Sequence, residues 1–385
     1  MRIGLSFILF FTIFITIYGG VHYYIFSNIV KLIKLSLKLK IILVVLFISM
    51  TISMPLSRIT EYLYPDTGKK LTLASYIWMG FIFYVFILFL IRSILLYLEK
   101  IIGILKRQEL FFIKNILSNS IVLPLIILLS VITCIYSYNE ALDIKINTLQ
   151  IPDYRSHPVN IIQISDVHLG TIVGHERLSK IISLINDANP DILVITGDLI
   201  DSDLDNIDKL SPLLSAVKPR YGKYAVTGNH EFYAGIDKAQ KFYKDAGIKL
   251  LRDEVEIIPG ILNIIGVDDP AVKIIGTNIK RKDIYQLTKE TDKKLFTLLL
   301  NHQPKDFDIA ESLGVNMQLS GHTHNGQIFP FNLLVYIFYH PVTGLHKINN
   351  AFLYISKGTG TWGPPMRFLS QPEVTLIKIT DNMKP

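Results

Sequence analysis

Four apolar runs precede residue 140, and they constrain this chain more than any other feature. Ile3 to Phe26, Leu71 to Ile91 and Leu117 to Tyr138 carry no Lys, Arg, Asp or Glu, and Leu39 to Leu56 carries only Lys40. Each approaches the ~20 residues that a helix needs to cross a bilayer. Pro124, within the fourth run, is tolerable in a membrane helix. Half of the 385 residues are hydrophobic, which is too apolar for an ordinary soluble protein. Only Arg2 precedes the first run and no small-x-small cleavage site follows it, so it reads as a retained helix rather than a cleaved signal.

The formal charge of +7 suggests nucleic-acid binding until it is divided along the chain. Residues 1–140 hold 13 basic and 5 acidic residues, and residues 141–385 hold 26 and 27. The excess therefore lies wholly in the apolar half, as loops between membrane helices produce it. No nucleic-acid partner is expected, because such a protein would place the charge on its soluble part. Cys134 is the only cysteine, which excludes an internal disulfide and any cysteine-based zinc cluster.

Basic residues also give an orientation. Lys31, Lys34, Lys38 and Lys40 lie between the first two runs, and Arg92, Lys100, Lys106, Arg107 and Lys114 between the last two. The middle loop has Arg58, Lys69 and Lys70. By the positive-inside rule the outer two loops are cytoplasmic. A multi-pass plasma-membrane protein follows, with everything after residue 140 outside the cytoplasm. Glu99 to Lys114 mixes apolar and basic residues and is read as an interfacial stretch or a plain connecting loop.

Past Tyr138 the composition turns polar. The reading is a transmembrane helical region over 1–140, a linker with a leading strand over 141–157, and an α/β domain over 158–385. Strands are predicted over Val159–Ile164, Ile192–Thr196, Tyr224–Thr227, Leu295–Leu300, Val315–Leu319, Phe352–Ser356 and Val374–Ile379. A hairpin is predicted around Pro259-Gly260. Helical spacing marks His175–Ala188, Asp203–Val217 and Ile236–Ala246. Strand–helix alternation followed by hairpins predicts α/β layers around mixed sheets.

Polar blocks stand at the ends of five of these strands. They are Asp166-Val167-His168, Gly197-Asp198, Gly228-Asn229-His230-Glu231, Asn301-His302, and Gly321-His322-Thr323-His324. Strand ends are where α/β folds build sites. In an extended backbone His322 and His324 point to one side, and converging neutral imidazoles suit a metal. Any one block alone reads as a helix cap, a turn or a core histidine. Five in order, each with hard or borderline ligands, do not.

The ordered blocks D-x-H, G-D, G-N-H-E, H and G-H-x-H resemble the calcineurin-like metallophosphoesterases, over roughly Val159 to Pro385. The tail Gly358-Thr359-Gly360-Thr361-Trp362-Gly363, with Met366-Arg367-Phe368 and Pro372-Glu373, resembles the bacterial membrane-associated branch of YkuE-like and YaeI-like proteins. The resemblance implies a layered α-β-β-α sandwich and two divalent metal ions. One ion would be held by Asp166, His168 and His324, the other by Asn229, His302 and His322, with Asp198 bridging. His230 would stay unligated beside the substrate.

Charge supports that scheme. Two divalent ions against two aspartates and a hydroxide leave about one positive charge, suited to a phosphate ester. Mixed Asp, Asn and His ligands suit Mn, Fe or Zn. His230 would protonate the leaving oxygen, with Glu231 orienting it. Arg367 is read either as a bidentate phosphate contact or as a surface arginine. Asp201, Asp268 and Asp269 are read as supporting or turn residues.

Ile328 to Tyr339 is a long apolar and aromatic run broken by Pro330. It reads as buried core, or else as a loop at the bilayer edge that grips an acyl chain. With membrane helices beside it, the substrate expected is a phospholipid-like or lipid-linked pyrophosphate. UDP-diacylglucosamine, cleaved by some relatives, is a candidate by resemblance, although that substrate is cytoplasmic. The alternative function is a membrane transport or sensor protein with a non-catalytic phosphate-binding domain.

Overall fold

The computed structural model describes residues 2–107, 111–153, 158–201, 207–273 and 282–380. The start of the helix expected over Asp203–Val217, Glu109, and the end of the 141–157 linker lie outside the described residues. The chain divides into two compact units, Met1–Ser137 and Tyr138–Pro385.

The first unit is helical: α1 (Arg2–Leu32), α2 (Leu37–Leu63), α3 (Pro65–Lys106), α4 (Phe112–Leu117) and most of α5 (Val122–Leu142). Among the described residues, four of these helices are long and apolar enough to cross a membrane. They run past the apolar stretches that predict them. Arg58 lies inside α2, Lys69 and Lys70 lie inside α3, and only Tyr64 separates the two helices. The middle loop of the orientation argument is thus a tight turn, with Pro65 preset for the first position of α3. At 42 residues, α3 is about 60 Å long, twice what the hydrocarbon core requires. The Glu99 carboxylate near its end accepts from the backbone N–H groups of Ile113 and Lys114, both at 2.7 Å. Several buried polar side chains between the helices are paired, as an apolar surround favours. Trp78 Nε1 donates to His22 Nε2 at 3.0 Å, and Arg92 Nη1 to Asn28 Oδ1 at 3.2 Å.

The second unit holds twelve strands among the described residues. They are β1 (Lys145–Pro152), β2 (Val159–Ile164), β3 (Ile192–Thr196), β4 (Lys223–Val226), β5 (Lys249–Leu250), β6 (Glu254–Ile258), β7 (Leu262–Gly266), β8 (Phe296–Leu300), β9 (Met317–Ser320), β10 (Gly344–Ile348), β11 (Ala351–Ile355) and β12 (Glu373–Thr380). One sheet has the order β1-β12-β2-β3-β4-β5 and the other β10-β11-β9-β8-β7-β6. The helices are α6 (His175–Ala188), α7 (Ser211–Ala216), α8 (Asn229–Ala234), α9 (Ile236–Asp245), α10 (Ile284–Lys289), α11 (Phe307–Ser312) and α12 (Phe331–Phe338).

The strands read as continuous apolar runs because both of their faces are buried. Successive side chains serve different cores. Ile161 packs between the sheets with Val194, Leu298 and Leu319. Ile162 packs with Leu178, Ile181, Leu214 and Phe242 of α6, α7 and α9. On the far side, Ile265 and Leu299 pack with Leu287 and Ala310 of α10 and α11. The result is the expected α-β-β-α sandwich.

The leading strand read within 141–157 is β1, which pairs in parallel with β12 from Lys145↔Glu373 to Pro152↔Thr380. One expectation needs correction. Most of the aromatic run is not core: Ile328 is buried, but Phe331–Phe338 form α12, which has no buried residue.

Candidate metal centre

β2, β3 and β4 run parallel in the first sheet, and β8 and β9 in the second. Their C-terminal ends meet across the sandwich. Gln163 spans the gap: its Nε2 donates to Thr196 Oγ1 at 2.8 Å and to the Ser320 carbonyl at 3.1 Å. Gly321 N donates to the His302 carbonyl at 2.9 Å. The loops that leave these ends therefore converge.

Asp166, His168 and His324 form one cluster, and Asp198, His302 and His322 another. His168 Nε2 lies 3.1 Å from His324 Nε2, and His324 Nε2 lies 3.4 Å from Asp166 Oδ1. In the second cluster His302 Nε2 is 3.1 Å from His322 Nδ1 and 3.2 Å from Asp198 Oδ2. Asp198 Oδ2 also approaches His168 Nε2 at 3.9 Å, so this carboxylate stands between the clusters. Asp166, His168, Asp198, His322 and His324 all have positive φ, between 48° and 68°. Non-glycine residues rarely adopt that region, and such strain gathers at functional sites.

Two glycines make room for the carboxylates. A Cβ at Gly228 would overlap the Asp198 carboxylate, and one at Gly321 would overlap that of Asp166. Asp166 is held by Ser165 Oγ at 2.5 Å and by the backbone N–H of His322 at 3.0 and 3.1 Å.

The electrostatics leave lone pairs pointing inward. Burial, reinforced by neighbouring imidazoles, pushes His168 down to about 4 and His322 to about 3, and holds His324 well below its ordinary value. These rings are neutral near pH 7 and can act as ligands. Burial would raise the Asp198 carboxyl, but His302, His230 and His168 outweigh it and hold Asp198 well below the carboxylate range. Two imidazole nitrogens 3.1 Å apart can share at most one proton. Asn229 Oδ1 is buried with no hydrogen-bond partner, an acceptor at the end of β4 that lacks a cation or donor. Burial would lower the His302 imidazole, but Asp198, Asp166 and Asp269 outweigh it and raise it well above its ordinary value, so a cation there would displace its proton. Carboxylates, imidazoles and an orphaned amide oxygen fit borderline divalent ions.

His230, at the start of α8, is ordered by a carboxylate other than the expected one. Its Nδ1 lies 3.0 Å from Asp201 Oδ1, and its backbone N–H donates to Asp198 Oδ1 at 2.9 Å. Burial would lower this imidazole, but Asp198, Asp201 and Glu231 outweigh it and carry it up to about 9. Glu231 does not orient the ring. Its carboxylate accepts from the backbone N–H groups of Asp198, Ile200 and Gly228 and from Tyr243 Oη. It fixes two ligand loops instead.

Arg367 neither lies on the surface nor reaches out to a phosphate. It is fully buried. Nε and Nη2 donate to the Gly360 carbonyl, and Nη1 to the carbonyls of Lys357 and Ser370. Nη2 also lies 3.3 Å from His324 Nδ1. All five N–H groups are thus engaged, and the side chain braces the His324 loop. Asp268 pairs with Arg252 at 2.7 Å, and Asp269 accepts from Gln303 at 2.8 Å. Three aromatic rings rim the site. Tyr233 and Trp362 stand 5.6 and 5.8 Å from the His230 ring, and Tyr339 stands 5.4 Å from that of His322.

The family model for calcineurin-like phosphoesterases matches residues 159–326. An Aquifex aeolicus protein described as an uncharacterized metallophosphoesterase is 37% identical over 224 residues, which is 57% of this chain and 85% of that one. A Campylobacter jejuni metallophosphoesterase, also uncharacterized, is 29% identical over 355 residues, 83% of this chain and 94% of its own. A Danio rerio transmembrane protein with a metallophosphoesterase domain is 30% identical over 248 residues, and this chain spans 56% of its length. Four apolar helices and relatives named as transmembrane proteins give a membrane location. The chain belongs to the calcineurin-like metallophosphoesterases, metal-dependent enzymes that hydrolyse phosphate esters.

Proposed function

We propose that the site holds two divalent ions, manganese, zinc or iron, and hydrolyses a phosphate ester or pyrophosphate bond in an envelope or lipid-linked substrate. Asp166, His168 and His324 would hold one ion, and Asn229, His302 and His322 the other, with Asp198 shared. The observation that carries this is the placement of Asp198, within 4 Å of imidazoles from both clusters. When bound, two such ions supply Lewis-acid stabilisation of phosphoryl charge and a more acidic water.

The chain's own groups do the rest. His230 is protonated near neutrality and donates its proton to the leaving oxygen. Asp201 holds the imidazole in register. Tyr233 and Trp362 flank the leaving-group side, and Tyr339 covers the His322 side. Metal-loaded protein is expected to hydrolyse a generic aryl phosphate mono- or diester, and Asp198→Asn to abolish this. A variant with full activity and full metal content would sink the shared-ligand assignment.

The lipid-linked substrate is supported by the membrane helices of the same chain and by the exposed apolar helix that follows the ligand turn. UDP-diacylglucosamine and other diacyl headgroup phosphates are the first compounds to assay. If lipid extracts yield no cleaved phosphate while the aryl ester is turned over, the lipid part of the reading fails and the phosphoesterase part stands. The basic residues at helix ends favour a multi-pass plasma-membrane protein with an extracytoplasmic catalytic domain, in the bacterial membrane-associated branch of the family. Protease access to the domain in intact cells tests that side, and a protected domain would move it to the cytoplasm and favour the nucleotide-linked lipid.

A further inference from the structure

We propose that α12 is an interfacial membrane element, seated in the headgroup region of the bilayer that the N-terminal helices cross. The inference rests on the membrane reading of those helices and not on the chemistry of the metal site.

Seven of the eight residues of α12 are apolar or aromatic, only Asn332 is not, and none is buried. Leu333, Ile337 and Phe338 are 60%, 65% and 77% exposed. A helix apolar on all sides belongs in an apolar surround, and monomeric soluble proteins rarely leave such a patch open to water.

The covalent path shows which surround is at hand. Phe329 N donates to the Phe368 carbonyl at 3.1 Å, and Phe368 N donates to the Gln327 carbonyl at 3.0 Å. The next residue, Leu369, is 63% exposed. The backbone N–H groups of Leu369 and Ser370 donate to the Glu140 carboxylate at 3.3 and 3.0 Å. Glu140 lies in the last turn of α5, which ends at Leu142, and β1 starts at Lys145. The segment bonded to the base of α12 is therefore bonded to the residues through which the chain leaves its last apolar helix. Phe329, Leu369 and most of α12 are exposed and apolar, and the segment they are bonded to meets the chain just where it leaves an apolar helix, which commits the occupant to lipid.

The seating also has a consequence for the site. Tyr339, the residue that ends α12, places its ring edge-on to His322 at 5.4 Å. A helix at headgroup depth would bring the ligand turn to the level of lipid phosphates.

Cys134 is the only cysteine, so the full chain with Cys134→Ser gives a clean background. Leu334→Cys and Ile337→Cys would carry an environment-sensitive fluorophore after reconstitution into phosphatidylethanolamine and phosphatidylglycerol vesicles. Nitroxide on the lipid chains near the headgroup should quench both labels several-fold more than a label at Tyr285→Cys on α10. Iodide on both faces of the vesicle should do the reverse. Iodide quenching equal to the control overturns the proposal. So does shielding from both quenchers, which would mean a second copy or another protein covers α12. Leu333→Cys and Phe338→Cys repeat the measurement where one variant fails to reconstitute. No readout depends on turnover, so the outcome is independent of the phosphoesterase reading.

Discussion

Asp201 Oδ1 lies 3.0 Å from His230 Nδ1, so Asp201, rather than Glu231, orders the imidazole proposed as the proton donor. The carboxylate contributes both a hydrogen bond and a charge that raise the imidazole. Asp201→Asn should therefore lower the His230 pKa. Activity that needs the protonated ring falls as pH rises through that pKa, so the alkaline limb should move to lower pH, by about 1 to 2 pH units. The pH profile of kcat/KM on an aryl phosphate checks this. An unmoved limb with reduced activity would assign Asp201 a purely structural part. The same pair ties stability to pH. A raised imidazole stabilises the fold fully below its ordinary value of 6.5 and loses that contribution as pH climbs through about 9.

Arg367 should behave as a brace. Its guanidinium is buried and spent on the Lys357, Gly360 and Ser370 carbonyls and on His324. Lysine cannot reproduce that fork. Arg367→Lys should lower the thermal transition and weaken metal binding about 10- to 100-fold, as loss of a group supporting a metal ligand does. KM for a soluble aryl phosphate at saturating metal should stay near that of the parent. A raised KM with unchanged metal affinity would return Arg367 to the substrate.

Glu231 carries a stability prediction. Its buried carboxylate accepts four hydrogen bonds, three of them from the backbone of the Asp198 and Asn229 loops. Glu231→Gln puts a donor where an acceptor is needed and should cost about 2–4 kcal/mol. Thermal unfolding of the full chain in detergent, with and without metal, reads the loss. An unchanged transition would mean the loops hold without it.

Much of the candidate site was legible because its chemistry is written locally. Each polar block follows a buried apolar strand, so strand patterning and residue type mark the blocks that hold Asp166, His168, Asp198, Asn229, His302, His322 and His324, and the family resemblance supplied their proposed roles as ligands. Asp201 was read as a supporting or turn residue, but what each supporting group holds was not legible, because the partners are distant in sequence. Asp201 meets His230 across 29 residues, and Arg367 meets His324 across 43. Glu231 misled for the opposite reason: its neighbour in sequence is the imidazole, but its carboxylate turns toward backbone N–H groups on another loop. A G-D-x-x-D spacing at Gly197 to Asp201 was the one available signal for Asp201. In the fold, the edge strand β10 and α12 escaped for related reasons. An edge strand lacks a fully apolar pattern, and periodicity cannot tell an apolar helix in water from one in a core or a bilayer.

The last prediction concerns space rather than charge. Gly228 faces the Asp198 carboxylate so closely that a Cβ would overlap it, and Gly321 stands in the same relation to Asp166. Neither position has positive φ, so alanine is permitted by φ and excluded by its neighbours: the carboxylate and backbone N of Asp198 at Gly228, and Ser165 Oγ with the Asp166 carboxylate at Gly321. Gly228→Ala should push Asp198 off its place between the clusters and disturb both ions. Gly321→Ala should displace Asp166 together with Ser165, which hydrogen-bonds it, and disturb one. Metal content at limiting free metal would separate the two, with a loss approaching two ions per chain in the first case and one in the second. Circular dichroism would show whether the sandwich itself survives. If both variants retain two ions with unaltered affinity, the carboxylates are not ligands in the places assigned to them, because a ligand cannot be displaced without loosening what it holds.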